Sequence, residues 1–135
     1  MDTLQTIQSL EITLLFAAIF GVLHVFLTAR VGIYRLKTKV SHGDNGDKEL
    51  LRRIRAQGNF TEQVPIGLFL LLLNELNGLD QNTLLILGSF FLSGRCLHYV
   101  TVAYRNKIPL WLRQISMLLT LGSILAASLF LIFID

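Results

Sequence analysis

From Ile115 to Ile134 the chain runs for twenty residues without a single ionisable side chain. A helix at the surface of a water-soluble domain keeps one polar face. This segment has no such face, only the small hydroxyls of Ser116, Thr120, Ser123 and Ser128. Crossing ~30 Å of hydrocarbon takes about 20 predominantly apolar residues, and the segment has that length. It reads as a membrane-spanning helix, and the rest of the chain has to be compatible with one.

Two other stretches repeat the pattern. Ile12 to Ala29 carries no formal charge over eighteen residues and is broken only by His24 and two threonines. Leu84 to Ala103 is twenty residues long, interrupted by Arg95 and His98. Val64 to Leu76 is shorter, with Asn74 and Glu75 near its end, but the helical pattern before it extends it back towards Lys48. Its polar first turns are tolerated only inside a protein bundle. Charged residues make up 16% of the chain, well under the usual quarter or so of a soluble domain. The expected fold class is therefore all-α: one domain over residues 1–135, an integral membrane four-helix bundle with helices near 7–31, 48–76, 82–104 and 112–134. The first span is read as permanent and not as a cleaved leader, because Met1 to Glu11 holds two acids and no basic residue.

The basic residues set an orientation. Eight of the twelve fall between Arg30 and Arg55, and Arg105, Lys107 and Arg113 flank the third connection. The termini and the Asn77 to Asn82 turn carry none. Short basic loops stay in the cytoplasm, so both termini are expected on the other side. Arg35, Lys37 and Lys39 are accounted for by a surface that meets anionic lipid. No soluble domain exists to display a basic face to nucleic acid. Ser41 to Asp47 is a cluster of turn formers in which Asp44, Asn45 or Asp47 can cap the second helix. Pro65, inside that helix, is expected to loosen the backbone near Thr61 and kink the helix without ending it.

Ionisable groups within spans are costly and face the bundle interior or a water-filled cavity. Arg55, Asn59 and Glu62 are spaced i, i+4, i+7 and line one face of the second helix. Arg95 and His98, at i, i+3, share a face of the third, and Arg30 and Arg113 stand at helix ends. Two readings are open. Arg95 and Glu62 can form a structural ion pair between helices two and three. Alternatively, the excess of cationic donors over the single acid serves an anionic partner from outside the chain. The lone Cys96 makes no disulfide or multi-cysteine metal pattern. It is expected to be a small buried residue. No metal site is expected.

The run Arg55-Ala56-Gln57-Gly58-Asn59-Phe60-Thr61-Glu62-Gln63-Val64-Pro65 resembles the signature of the MAPEG family, the membrane-associated proteins in eicosanoid and glutathione metabolism. Gly94-Arg95-x-x-His98 is similar to a third-helix motif of its prostaglandin E synthase branch, and Ala29-Arg30 and Arg113 fall where the family places arginines. The resemblance covers essentially the whole chain. It implies a homotrimer with glutathione, as cosubstrate, held between neighbouring subunits near the cytoplasmic face. Carried over by position, Arg30, Arg55, Asn59, Glu62, Arg95 and His98 become glutathione contacts, joined by Gln57, and Arg113 becomes the catalytic residue that stabilises the thiolate. The nucleophile would then belong to glutathione, and the second substrate would be a lipophilic small molecule arriving through the bilayer. Gln63, Val102 and Val31 depart from eukaryotic patterns and argue against a specific eicosanoid activity. The short loops look like the bacterial branch, which implies the bacterial inner membrane with both termini periplasmic.

The expected function is thus a glutathione-dependent transferase or peroxidase acting on lipophilic electrophiles. The alternatives are a glutathione-binding protein without catalysis, or a small multidrug-type transporter, which needs a proton-exchanging acid in the membrane. Single cysteines at Ser41 and Asn82, in a Cys96→Ser background, test the orientation. A membrane-impermeant maleimide should label position 82 in intact cells and position 41 only after permeabilisation; the reverse pattern overturns the topology.

Overall fold

The computed structural model describes residues 10–133, and the chain termini lie outside the described residues. The polypeptide forms four helices: α1 (Glu11–Thr38), α2 (Lys48–Leu76), α3 (Gln81–Ala103) and α4 (Leu110–Phe133). Helices α1, α3 and α4 are long and apolar enough to cross a membrane; α2 is long enough but too polar over any full-length window. The fold is an all-α membrane bundle.

Local chemistry sets the helix ends. Asp47 is the α2 N-cap, accepting from the backbone N–H of Glu49 at 2.8 Å and of Leu50 at 3.1 Å. Its other oxygen accepts from the Tyr34 hydroxyl at 3.0 Å. The Leu50 N–H foremost, with Tyr34 and Glu49 adding to it, holds this carboxyl below the usual carboxylate range despite some desolvation. Asp80 caps α3 by accepting from the Thr83 N–H at 3.0 Å. Helix α1 runs about two turns past the end expected near residue 31. Nothing between Val31 and Thr38 breaks it, and Arg35 and Lys37 suit the negative end of its dipole; it stops where Lys39 turns left-handed, at φ 57°. Arg30 is therefore not at a helix end. Pro65 lies within α2, which continues through it to Leu76.

Hydrogen bonds between helices fix the topology. The end of α2 meets the start of α1 and the late part of α4, through Glu75 and Asn74. At the opposite end, Arg30 of α1 bonds Tyr104 just after α3, and His98 of α3 bonds Ser116 of α4. The helices alternate up and down, and α3 packs against each of the other three.

A tilted aromatic cluster sits at the centre. The Phe20 ring lies 5.8 Å from that of Phe60 and 5.4 Å from that of Phe91, joining α1, α2 and α3. Close approach depends on glycine at three places, Gly67 against the Phe91 ring among them. A Cβ on Gly88 would sit 2.2 Å from the Phe16 ring, and one on Gly94 would sit 2.9 Å from the Thr120 backbone nitrogen. On α4, Ser123 and Ala127 are buried, whereas Gly122 is exposed and faces open space. The outside is apolar, as lipid requires: Val25, Phe26, Leu118 and Leu125 are each 60% exposed or more.

Glu75 closes the turn end of the bundle. Only 7% exposed, it accepts from the backbone N–H of Ile12 at 2.9 Å and of Thr13 at 2.7 Å. It thus supplies from α2 the cap that α1 lacks, since Leu10 has no side chain to offer. Next to it, the Asn74 amide donates to the carbonyls of Leu70 and Ala127 at 2.8 and 2.9 Å. Hydrogen bonds to a charged group each contribute roughly 1.5–3 kcal/mol. Glu75→Ala should therefore destabilise the protein in detergent by about 3–6 kcal/mol, read from chemical denaturation, with Glu75→Gln losing less. Wild-type stability in the alanine variant would contradict this role.

Candidate functional site

The interior polar groups at the basic end come from α3 and α4. Gly94 lets the two helices touch, which brings the next turn of α3, carrying Arg95 and His98, against the first turns of α4. Both side chains are 3% exposed. His98 Nδ1 lies 3.2 Å from the Ser116 hydroxyl, which in turn lies 2.7 Å from the Arg113 carbonyl oxygen. Arg95 and Arg113 are both close enough to His98 to act on it electrostatically. Thr120 Oγ1, against Gly94, donates back to the Ser116 carbonyl at 2.9 Å.

Arg95 has no hydrogen-bond or ion-pair partner among the described residues, and its Nε is wholly enclosed. The Tyr99 hydroxyl is likewise enclosed and unbonded. A buried guanidinium with no acceptor is costly, which makes this end of the bundle the place where the described residues leave polar groups least satisfied.

Arg30 approaches from α1. Its guanidinium donates to the Tyr104 hydroxyl and lies over the rings of Tyr104 and Tyr99, at 4.9 and 5.9 Å from their centroids. The sequence motif on α2 is elsewhere. Arg55 and Glu62 are exposed and Asn59 is half-buried, on the outer side of the chain. The Gln57 amide donates to the hydroxyls of Thr28 and Thr61, at 3.3 and 3.2 Å. The intrachain pair between Glu62 and Arg95 is not formed: the ion pairs among the described residues join Glu49 to Arg52 and to Arg53, each at 2.8 Å. The expected residues thus fall into two sets. Arg30, Arg95, His98 and Arg113 gather around the end of α3, and Arg55, Asn59 and Glu62 face outward on α2.

The MAPEG family model matches residues 13–133. The chain belongs to the MAPEG family. Among MAPEG-related sequences, the inner membrane protein YecN of Escherichia coli K12 is 31% identical over 102 residues, 73% of this chain and 76% of the relative. The same protein from Escherichia coli O6:H1 matches with the same figures. No solved structure matches significantly.

Sequence reasoning did not pick out three members of the site. Ser116 lies one turn beyond Arg113, at i+3, so its proximity was legible from the helix period. Tyr104 and Thr120 become relevant only through packing, Tyr104 as the partner of Arg30 and Thr120 as the neighbour of Gly94. Cys96 is half-buried, where a buried residue was expected.

Proposed function

We propose that this MAPEG member is a glutathione-dependent membrane enzyme of the transferase or peroxidase type, working as a homotrimer in a bacterial inner membrane on lipophilic electrophiles. The observation that carries the reading is Arg95, a buried guanidinium with no acceptor among the described residues. Glutathione fits what is present: two carboxylates for the arginines and an ammonium for a carboxylate. The name of the Escherichia coli relative supports the inner membrane.

Arg95, Arg30 and the Tyr99 hydroxyl are the donors available to a carboxylate. The face holding Arg55, Asn59 and Glu62 would be supplied by a neighbouring copy, with Glu62 meeting the ammonium and Arg55 the second carboxylate. Covering that face with protein also removes an otherwise costly exposure of Arg55 and Glu62 to lipid. Glutathione would bring the thiol nucleophile. Arg113, in the first turn of α4 beside His98, would hold negative charge at the sulfur, because a nearby guanidinium lowers a thiol pKa from about 8.5. A proton-coupled transporter finds little support: Glu75 is committed to two backbone amides, and Glu62 lies outside the bundle.

Titration calorimetry with glutathione in nanodiscs, paired with thiolate absorbance against pH, tests the reading. Glu62→Gln should weaken binding by about 2 kcal/mol, roughly 30-fold, without loss of fold. Arg113→Ala should raise the thiol pKa and lower turnover of a generic electrophile more than it weakens binding. Absence of binding to the wild-type protein overturns the proposal. Binding without a depressed thiol pKa makes the protein a glutathione binder and not an enzyme.

A further inference from the structure

The bond between His98 and Ser116 decides which nitrogen of the imidazole carries a proton. Ser116 is completely buried. Its hydroxyl has one hydrogen, and the Arg113 carbonyl, 2.7 Å away, can only accept. With that hydrogen committed, the hydroxyl oxygen faces His98 with a lone pair, so at 3.2 Å the donor is Nδ1–H. A neutral ring protonated at Nδ1 leaves Nε2 as an acceptor.

Nε2 has no hydrogen-bond partner among the described residues. It is not one of the fully enclosed unpaired atoms either, so in a side chain 3% exposed it belongs to the edge that reaches open space. Its surroundings include donors: the guanidiniums of Arg95 and Arg113 are both near enough to act on the ring, and neither can accept a hydrogen bond. Two further contacts hold the device still. Thr101 Oγ1 donates to the His98 carbonyl at 2.9 Å, and Thr120 Oγ1 donates to the Ser116 carbonyl at 2.9 Å.

We propose that Ser116 is a positioning residue that locks His98 as the Nδ1–H tautomer, so that Nε2 gives this donor-rich pocket an acceptor for a ligand thiol or N–H. The relay also ties the ring to the α4 backbone at Arg113, so that the acceptor and the arginine move together. The part concerning a ligand rests on the glutathione reading above; the tautomer does not.

The test uses the full-length protein with ¹⁵N-labelled histidine, in a background in which the exposed His24 and His42 are replaced by glutamine. Nitrogen chemical shifts and one-bond couplings of the single remaining histidine should show Nδ1 protonated and Nε2 bare. Ser116→Ala should shift the ring to the other tautomer or to a mixture and weaken glutathione binding about tenfold. Ser116→Thr, which keeps the hydroxyl, should retain the wild-type pattern and most of the affinity. A wild-type ring protonated at Nε2, alone or together with Nδ1, overturns the proposal whatever the variants do. An unchanged tautomer in Ser116→Ala also overturns it. If the tautomer changes as expected but the wild-type protein binds no glutathione, the lock stands and the functional reading falls.

Discussion

Hydrocarbon offers no hydrogen-bond partner, so each polar group carried into a membrane has to be answered by protein, water or ligand. The two ends of this bundle answer in different ways. At the turn end, Glu75 takes two backbone amides of α1 and Asn74 gives its protons to two carbonyls. At the basic end, Arg95 Nε and the Tyr99 hydroxyl are enclosed without a partner among the described residues. One end is a structural clamp, and the other holds buried donors that the described residues leave unpaired.

Helix α2 carries the same constraint to the outside. It is the helix too polar to pass as a membrane span, yet it crosses beside three that do. Its exposed side chains change from Arg55 and Glu62 to Ile66 and Phe69 along its length. Lipid accommodates the second pair and not the first. The proposed trimer resolves this by placing α2 against another copy, and it brings Glu62 to the arginines that α3 and α4 hold. Under that reading the exposed carboxylate and the buried cation are two halves of one site.

Much of this was legible in the sequence because the bilayer permits few arrangements. An uncharged run from Ile115 onward fixed a spanning helix, and the spacing of Arg95 and His98 placed both on one face of α3. Asp47 was one of three candidate caps in a turn-forming cluster, and the structure selects it. What the sequence did not reveal lies in contacts between helices. The reach of α1 to Thr38 depended on the absence of a breaker, which is a weak signal. Glu75 appeared only as a polar interruption in an apolar stretch, since nothing local shows that it caps α1, sixty-two and sixty-three residues away. The Arg95–Glu62 pair failed because the helical period fixes a residue's face and not which helix that face meets. For Ser116 the helix period showed its nearness to Arg113, but as one of four hydroxyls in an apolar span it carried no sign that it meets His98.

The central claim is that the outer face of α2 is covered by protein in the membrane, and lipid accessibility tests it most directly. The bond between Asn74 and the Ala127 carbonyl sets Phe69 of α2 and Leu121 of α4 at similar depth, and both are exposed on the single chain. Spin labels at the two positions, read in bilayers by their collisions with dissolved oxygen, separate a protein contact from a lipid contact. The account predicts frequent collisions at position 121 and few at position 69. Equal, lipid-like collision rates at both positions would contradict it.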